Sequence, residues 1–175
     1  MKKVILVPFA VLTAVVFLVS CIKDDTPGCT DNSLTQDRHI IDSFINANPV
    51  LNYITFNPTF NVYLGIETVG GGSAPAADSQ MVIKTITRLL NGTLVDSATV
   101  SATQSGSPLK LSDFNNQSAD YAIFTQLREG GSAKVIVPSS LNGLGCQQGA
   151  GRYGSVPGNS QLVNTITLVD VKSNQ

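Results

Sequence analysis

Three kinds of residue in this 175-residue chain could do chemistry: three cysteines, one histidine and a few aspartates. His39 is the sole imidazole. Neither a catalytic triad nor a histidine-based metal site forms around one remote histidine, so His39 reads as a solvated helix position. Asp24, Asp25 and Asp31 do not have the spacing of a calcium loop. Gly149-Ala150-Gly151-Arg152-Tyr153-Gly154 matches the dinucleotide fingerprint literally. That fingerprint needs a strand before it and a helix opening within it, with phosphate at the helix N-terminus. Ser155-Val156-Pro157 follows instead, so the stretch reads as a flexible loop. Gly70-Gly71-Gly72 lacks the Lys-Ser/Thr of a phosphate loop and reads as a strand connection. No base is apparent beside Cys146, which reads as structural rather than nucleophilic. No metal or cofactor is expected.

The remaining chemistry is at the N-terminus. Lys2 and Lys3 precede an apolar run over residues 4–19, broken by Pro8 and Thr13. The run is shorter than the roughly 20 residues that span a bilayer, and it has the layout of a secretory signal. It ends in Leu18-Val19-Ser20-Cys21, which looks like a bacterial lipobox. That likeness implies cleavage before Cys21 and acylation of the cysteine. Two or three chains would anchor firmly, at about 0.8 kcal/mol per buried methylene. Ile22-Lys23-Asp24-Asp25 is similar to a short acidic export signal for the outer face of the outer membrane, although a solvated linker would carry the same charges. The expected address is therefore the cell envelope, as an outer-membrane lipoprotein with possible surface exposure. The lipid membrane, reached through Cys21, is the first expected partner. Net charge is −1 with 13% charged residues, so the electrostatic drive for nucleic-acid binding is missing. Export favours disulfides. With Cys21 as the anchor, Cys29 and Cys146 are left as an expected pair, the alternative being two free thiols.

These residues need elements to position them. Residues 1–20 read as signal, 21–33 as lipidated tether, 34–60 as a helix and its connection, and 61–175 as the main domain. Thr30-Asp31-Asn32-Ser33 offers helix N-caps. Leu34, Ile40, Ile41, Phe44 and Ile45 form an apolar stripe at helical spacing, and Asn48-Pro49 ends that helix. Strands follow at residues 62–69 and 81–89. Asn91-Gly92 is a hairpin signal that sends residues 93–96 back as a strand. Leu109-Lys110-Leu111 reads as a short alternating strand. Residues 119–128 carry Tyr121, Phe124 and Leu127 at helical spacing, stopped by Gly130-Gly131. A strand over 133–137 closes at Pro138, and a long loop covers 139–159. The last strand covers 162–171, with Leu162, Ile166 and Leu168 on one side under strict alternation.

In that order the elements resemble the FKBP-type peptidyl-prolyl isomerase domain over about residues 63–171. Leu89-Leu90-Asn91-Gly92-Thr93-Leu94-Val95-Asp96-Ser97 is similar to the family's L-x-x-G-x-x-F-D-S hairpin. Pro108-Leu109-Lys110-Leu111 is similar to its P-F-x-F strand. Gly130-Gly131-Ser132-Ala133-Lys134-Val135-Ile136-Val137-Pro138-Ser139-Ser140-Leu141 is similar to G-G-x-x-x-x-x-I-P-S-x-L-A-Y-G. Val156-Pro157-Gly158-Asn159-Ser160-Gln161-Leu162-Val163 is similar to I-P-x-N-S-x-L-V-F. The resemblance implies an α+β fold, a twisted antiparallel β-sheet wrapped around one short helix, here with an extra N-terminal helix. It also implies a pocket that binds a proline-containing peptide or envelope protein.

Carried over by position, the pocket would be formed by Thr85, Val95, Asp96, Leu109, Leu111, Tyr121, Val137, Leu144, Val156 and Asn164. The family's aromatic walls are replaced at Thr85, Val95, Leu109, Leu111 and Asn164, and the chain has no tryptophan. The loop tyrosine falls at Gly143 or Leu144. Asp96 is kept, either as the candidate catalytic group or as an aspartate that binds loop backbone. The expected function is a membrane-tethered, FKBP-type isomerase-like envelope protein with a degenerate pocket and weak activity. The alternative is a non-catalytic binding or structural surface lipoprotein of the same fold.

Overall fold

The computed structural model describes residues 28–172. The signal segment, Cys21 and residues 22–27 of the tether lie outside the described residues. Helix α1 spans Leu34–Ala47 and starts where the sequence offers caps: the Ser33 hydroxyl accepts from Gln36 N, and the Gln36 side chain accepts from Ser33 N. This reciprocal box satisfies two donors that the first helical turn leaves without partners. The helix ends at Asn48, before Pro49. Its buried face is Asp37, Ile41 and Ile45, spaced four apart. Ile40, expected in the apolar stripe, lies off that line and is exposed.

Strands β1 (Thr55–Asn57), β2 (Val62–Thr68), β3 (Gln80–Leu89), β4 (Leu94–Val100) and helix α2 (Ala119–Phe124) follow. Then come β5 (Ser132–Val137), the small hairpin β6 (Gly149–Ala150) and β7 (Ser155–Val156), and β8 (Leu162–Lys172). Six strands form one antiparallel sheet in the order β1-β2-β5-β8-β3-β4. The sheet divides two cores. On one face α2 packs through Ile123 and Phe124 against Val62, Ile83, Ala133, Val135, Ile166 and Leu168. On the other, Ile41 and Ile45 of α1 meet Tyr63, Ile136 and Ile54. This is the expected α+β arrangement, with the extra N-terminal helix on the face opposite the short one.

Several local expectations are corrected. The sheet begins at Thr55, because β1 pairs with β2, where the sequence suggested a plain connection up to residue 60. Residues 108–110 make only isolated bridges, Ala102 to Pro108 and Gln80 to Lys110. Pro108 has no N–H to give a ladder, and Leu111 opens a tight turn in which Asp113 Oδ2 accepts from Lys110 N at 2.8 Å. The alternation survives in burial all the same, since Leu109 and Leu111 both face the core. Helix α2 stops at Phe124 rather than 128. The Thr125 and Gln126 side chains turn back onto the Tyr121 and Ala122 carbonyls, and Arg128 N leaves to bond Val69 O at 2.7 Å. In β8 strict alternation slips once. Val82 pairs with Asp170 and Ile83 with Leu168, so Val169 is an inserted residue and both Leu168 and Val171 are buried. The Asn91-Gly92 hairpin forms as expected, with Gly92 at φ +86° and Leu89 N bonded to Thr93 O at 2.9 Å.

Cys29 and Cys146 are disulfide-bonded, with Cα atoms 5.6 Å apart. Residues just before α1 are therefore strapped to the long loop rather than free as a linker. Asp31 Oδ1 accepts from Cys146 N at 2.7 Å, Asn159 Oδ1 accepts from Asn32 N at 3.0 Å, and Asn159 Nδ2 donates to Thr30 O at 3.0 Å. Asp37 completes the join. Its fully buried carboxylate accepts from Ser139 Oγ (2.7 Å), Ser140 N (2.8 Å), Gln161 Nε2 (2.8 Å) and Asn32 Nδ2 (3.1 Å). Burial pushes this carboxyl up, but the four donors outweigh it and hold the group below the ordinary aspartate value.

Candidate functional site

The sheet's α2 face is apolar at one end and polar at the other, and register decides where each residue falls. Ile83 pairs with Leu168 and Val100, Thr85 with Ile166 and Ala98, and Thr87 with Asn164 and Asp96. Partners across a ladder share a face. The first two rows meet α2 and the segment leading into it. There the chain leaves a cavity of about 250 Å³, lined by Ile83, Thr85, Val100, Leu109, Phe114, Asp120, Phe124 and Ile166. Its size falls just below the range for small-ligand sites, roughly 300–1,000 Å³.

Two aromatic rings form part of the wall. The Phe114 and Phe124 centroids lie 5.0 Å apart at a 53° tilt, within the range aromatic pairs favour. Phe124 closes α2. Phe114 is held by the turn before it, where Phe114 N donates to Leu111 O at 3.2 Å, and by the start of α2 after it, where the Ser118 hydroxyl accepts from Tyr121 N at 3.2 Å. The sequence reading placed Phe124 at a core spacing and missed Phe114 altogether. The signal was available: a lone phenylalanine between Asp113 and Asn115, just upstream of a helix cap, needs somewhere apolar to go. The positions where the resemblance implies aromatic walls are non-aromatic at Thr85, Val95, Leu109, Leu111 and Asn164, and this pair lies at other positions.

Of the ten expected pocket residues, the structure brings Thr85 and Leu109 to the cavity. Leu111, Tyr121 and Val137 pack in or against the α2-side core instead. Asn164 lies one row further along, where its Oδ1 accepts from Thr87 Oγ1 at 2.8 Å. Val95 is the extra residue of a bulge, since Thr87 pairs with Asp96 and Arg88 with Leu94. It is buried under the β6–β7 hairpin, where Tyr153 N donates to Val95 O at 2.9 Å. Val156 pairs with Gly149 in that hairpin. Leu144 lies in the disulfide-bearing loop, beside Gly149.

Asp96 is not part of the cavity wall. Its Oδ1 accepts from Ser97 N at 2.7 Å and lies 3.7 Å from Arg152 Nε, with the side chain 42% exposed. The bond is to the backbone of the next residue within β4 rather than to a loop. The literal dinucleotide fingerprint is equally settled. No helix opens within residues 149–154, which form a hairpin laid across β4. Gly151 is required there, because a Cβ would sit 2.3 Å from Val95 O. The loop is bonded to β4 through Tyr153 N and through Arg152 Nη1, which donates to Ser97 O at 2.9 Å. It lies against β4 rather than among the lining of the α2-side cavity.

Among the described residues, one ionisable side chain lines the cavity. Asp120 sits in the first turn of α2. Desolvation by its neighbours raises its carboxyl above the ordinary aspartate value, although the residue as a whole is exposed. Among the described residues no group of three or more His, Cys, Asp or Glu side chains is placed to hold a metal ion. No helix among them is long and apolar enough to cross a membrane.

No family model and no curated protein matches the chain. Among solved structures, FkpA from Escherichia coli is 22% identical, with 79% of this chain and 58% of FkpA covered and a TM-score of 0.48. This chain therefore spans little more than half of FkpA. A peptidyl-prolyl cis-trans isomerase from Pseudomonas syringae pv. tomato str. DC3000 is 17% identical, with 82% of this chain and 99% of that one covered, also at 0.48. The three FKBP domains of wheat FKBP73 match at 21% identity and 0.44, over 64% of this chain and 45% of that one. In fold, the chain is similar to these FKBP-type structures.

Proposed function

We propose that this chain is a membrane-tethered, FKBP-like protein of the cell envelope that binds proline-containing segments and isomerises them weakly. The observation that supports binding is the apolar cavity walled by Phe114, Phe124, Leu109 and Ile166. Rotation about an Xaa-Pro bond is opposed by amide resonance, with a barrier of about 18–20 kcal/mol. Water stabilises the planar, polar amide more than the twisted one. A dry apolar wall that accepts the twisted form therefore lowers the barrier without proton transfer.

Weak turnover follows from what the wall lacks. Thr85 places a hydroxyl among the apolar side chains, and Asp96 is engaged by Ser97 N and Arg152 outside the cavity. Each contact missing from the twisted amide costs rate, about tenfold per 1.4 kcal/mol. The position of Asp96 also favours the second reading, a binding module without turnover. Assaying the full-length chain in detergent against a standard Xaa-Pro peptide tests both. Little or no acceleration, with measurable peptide binding, is the expected result. Acceleration equal to that of an aromatic-lined FKBP domain, abolished by Asp96→Ala, would overturn it.

The tether rests on Leu18-Val19-Ser20-Cys21. Intact-mass analysis of the membrane fraction should find a chain that begins at Cys21 and carries acyl mass. A soluble, unacylated mature form would remove the tether from the proposal.

A further inference from the structure

The cavity wall combines apolar side chains with one carboxylate and no cation. Among the described residues, Asp120 is the only charged residue of its lining, and no lysine, arginine or histidine faces it there. Neither a hydrogen bond nor an ion pair is recorded for its carboxylate among the described residues, whereas Asp37, Asp96 and Asp113 are each engaged. From this juxtaposition we infer that the cavity selects segments in which a lysine or arginine flanks the seated proline, with Asp120 as the specificity-determining residue. The inference rests on the proposed binding of proline-containing segments and names their class more narrowly.

The physical reasoning has two parts. A carboxylate beside apolar walls has lost part of its hydration and has gained no protein donor in return. A ligand ammonium or guanidinium restores an opposite charge, whereas a ligand carboxylate adds repulsion, so the same residue attracts one class and rejects another. The desolvation that raises the Asp120 carboxyl is the cost a cationic ligand would relieve. Because the residue is exposed, the gain is modest. About fivefold in affinity is the size appropriate to a partly exposed ion pair. A flanking cation also suits the geometry of a long side chain. Lys and Arg can lay their methylene stems along the apolar rim, near Val100, while the charged head reaches Asp120.

The test uses the full-length chain in detergent and three peptides of the form Ala-Xaa-Pro-Xaa-Ala, with Xaa as lysine, leucine or glutamate. Affinities are read by calorimetry at low and high salt. The expected order is lysine tightest, by about fivefold over leucine, and glutamate weakest. This spread should shrink at 1 M salt, where the Debye length is about 3 Å. In Asp120→Asn the lysine and leucine peptides should bind alike. Asp120→Lys should reverse the order in favour of glutamate, a gain that an unfolded variant could not show. Equal affinity of the lysine and leucine peptides for the unaltered chain, or a lysine preference that survives Asp120→Asn, would overturn the inference and leave the binding of proline segments intact. Absence of binding by all three peptides would overturn both.

Discussion

Replacing Asp37 with alanine removes the acceptor for four donors at once. Two of these bonds, from Ser139 Oγ and Gln161 Nε2, are fully buried, and the other two, from Ser140 N and Asn32 Nδ2, are partly buried. A hydrogen bond to a charged group contributes about 1.5–3 kcal/mol, and each buried donor left without a partner costs about 1–3 kcal/mol. The Ser139 hydroxyl can rotate toward another acceptor, and Gln161 Nε2 keeps its bond to Asn159 O, so the terms do not simply add. A loss of about 3–5 kcal/mol follows, the range for breaking a buried charged network. That is a large share of the roughly 5–15 kcal/mol that holds a typical domain together. Asp37→Asn is milder, because it keeps the acceptor for Ser139 and Gln161 but sets an amide donor against Ser140 N–H. Urea unfolding with the disulfide intact measures both variants. The pH dependence has a definite sign. The folded carboxyl titrates below its unfolded value of 3.8, so its contribution is complete above that value and fades as pH falls through the folded value. The gap between the unaltered chain and Asp37→Asn should therefore be full at pH 7 and narrow below about pH 4. A cost for Asp37→Ala under about 1 kcal/mol at pH 7, or a gap that does not narrow in acid, would refute this account of the network.

Two further outcomes are expected. Changing Cys29 and Cys146 together to serine should lower stability by up to about 5 kcal/mol in the chain-entropy view of a cross-link, given a sequence separation of 117; urea midpoints compared with and without reductant check this, and reductant should not affect the double variant. Tyr63 OH donates to Asp42 Oδ1 at 2.5 Å, and burial followed by that bond pushes the phenol up to about 12. Its contribution is therefore full below pH 10 and is lost as pH rises toward 12. Tyr63→Phe should cost about 1 kcal/mol at neutral pH and flatten the alkaline limb of the stability profile, which thermal melts between pH 8 and 12 would show.

Much of the fold was legible because it is encoded locally. Ser33 and Gln36 cap α1 through contacts three residues apart, and Asn48-Pro49 stops it. Asn91-Gly92 turns β3 into β4 because Gly92 can adopt the positive φ that the turn needs. The short helix, the strand closed by Pro138 and the long final strand follow from periodicity. The Cys29–Cys146 pair followed from export logic and cysteine count. The candidate site was legible only in part. Thr85 and Leu109 line the cavity, and the other eight expected pocket residues lie elsewhere in the fold. Position along a motif indicates which strand a residue belongs to, and a single bulge changes what it meets. Val95 is the clearest case: the extra residue in β4 leaves it under the loop hairpin.

By itself, the sequence determined the order of most elements, the helix cap at Ser33, the Asn91-Gly92 hairpin and the choice of Cys29 and Cys146 as the expected pair, which the structure then joins. All of these depend on interactions within a few residues, on repeating periods, or on counting. Tertiary structure alone decided that Asp37 is a buried junction rather than a solvated helix charge. Three of its four donors lie 102 to 124 residues away, at Ser139, Ser140 and Gln161. It also decided that Phe114 joins Phe124 to wall the cavity, that Asp96 turns to backbone and to Arg152, and that Asp120 is left facing the cavity without a partner. Each of these depends on which distant side chains occupy the neighbouring space, and burial and pairing exist only once the sheet has closed over its two cores.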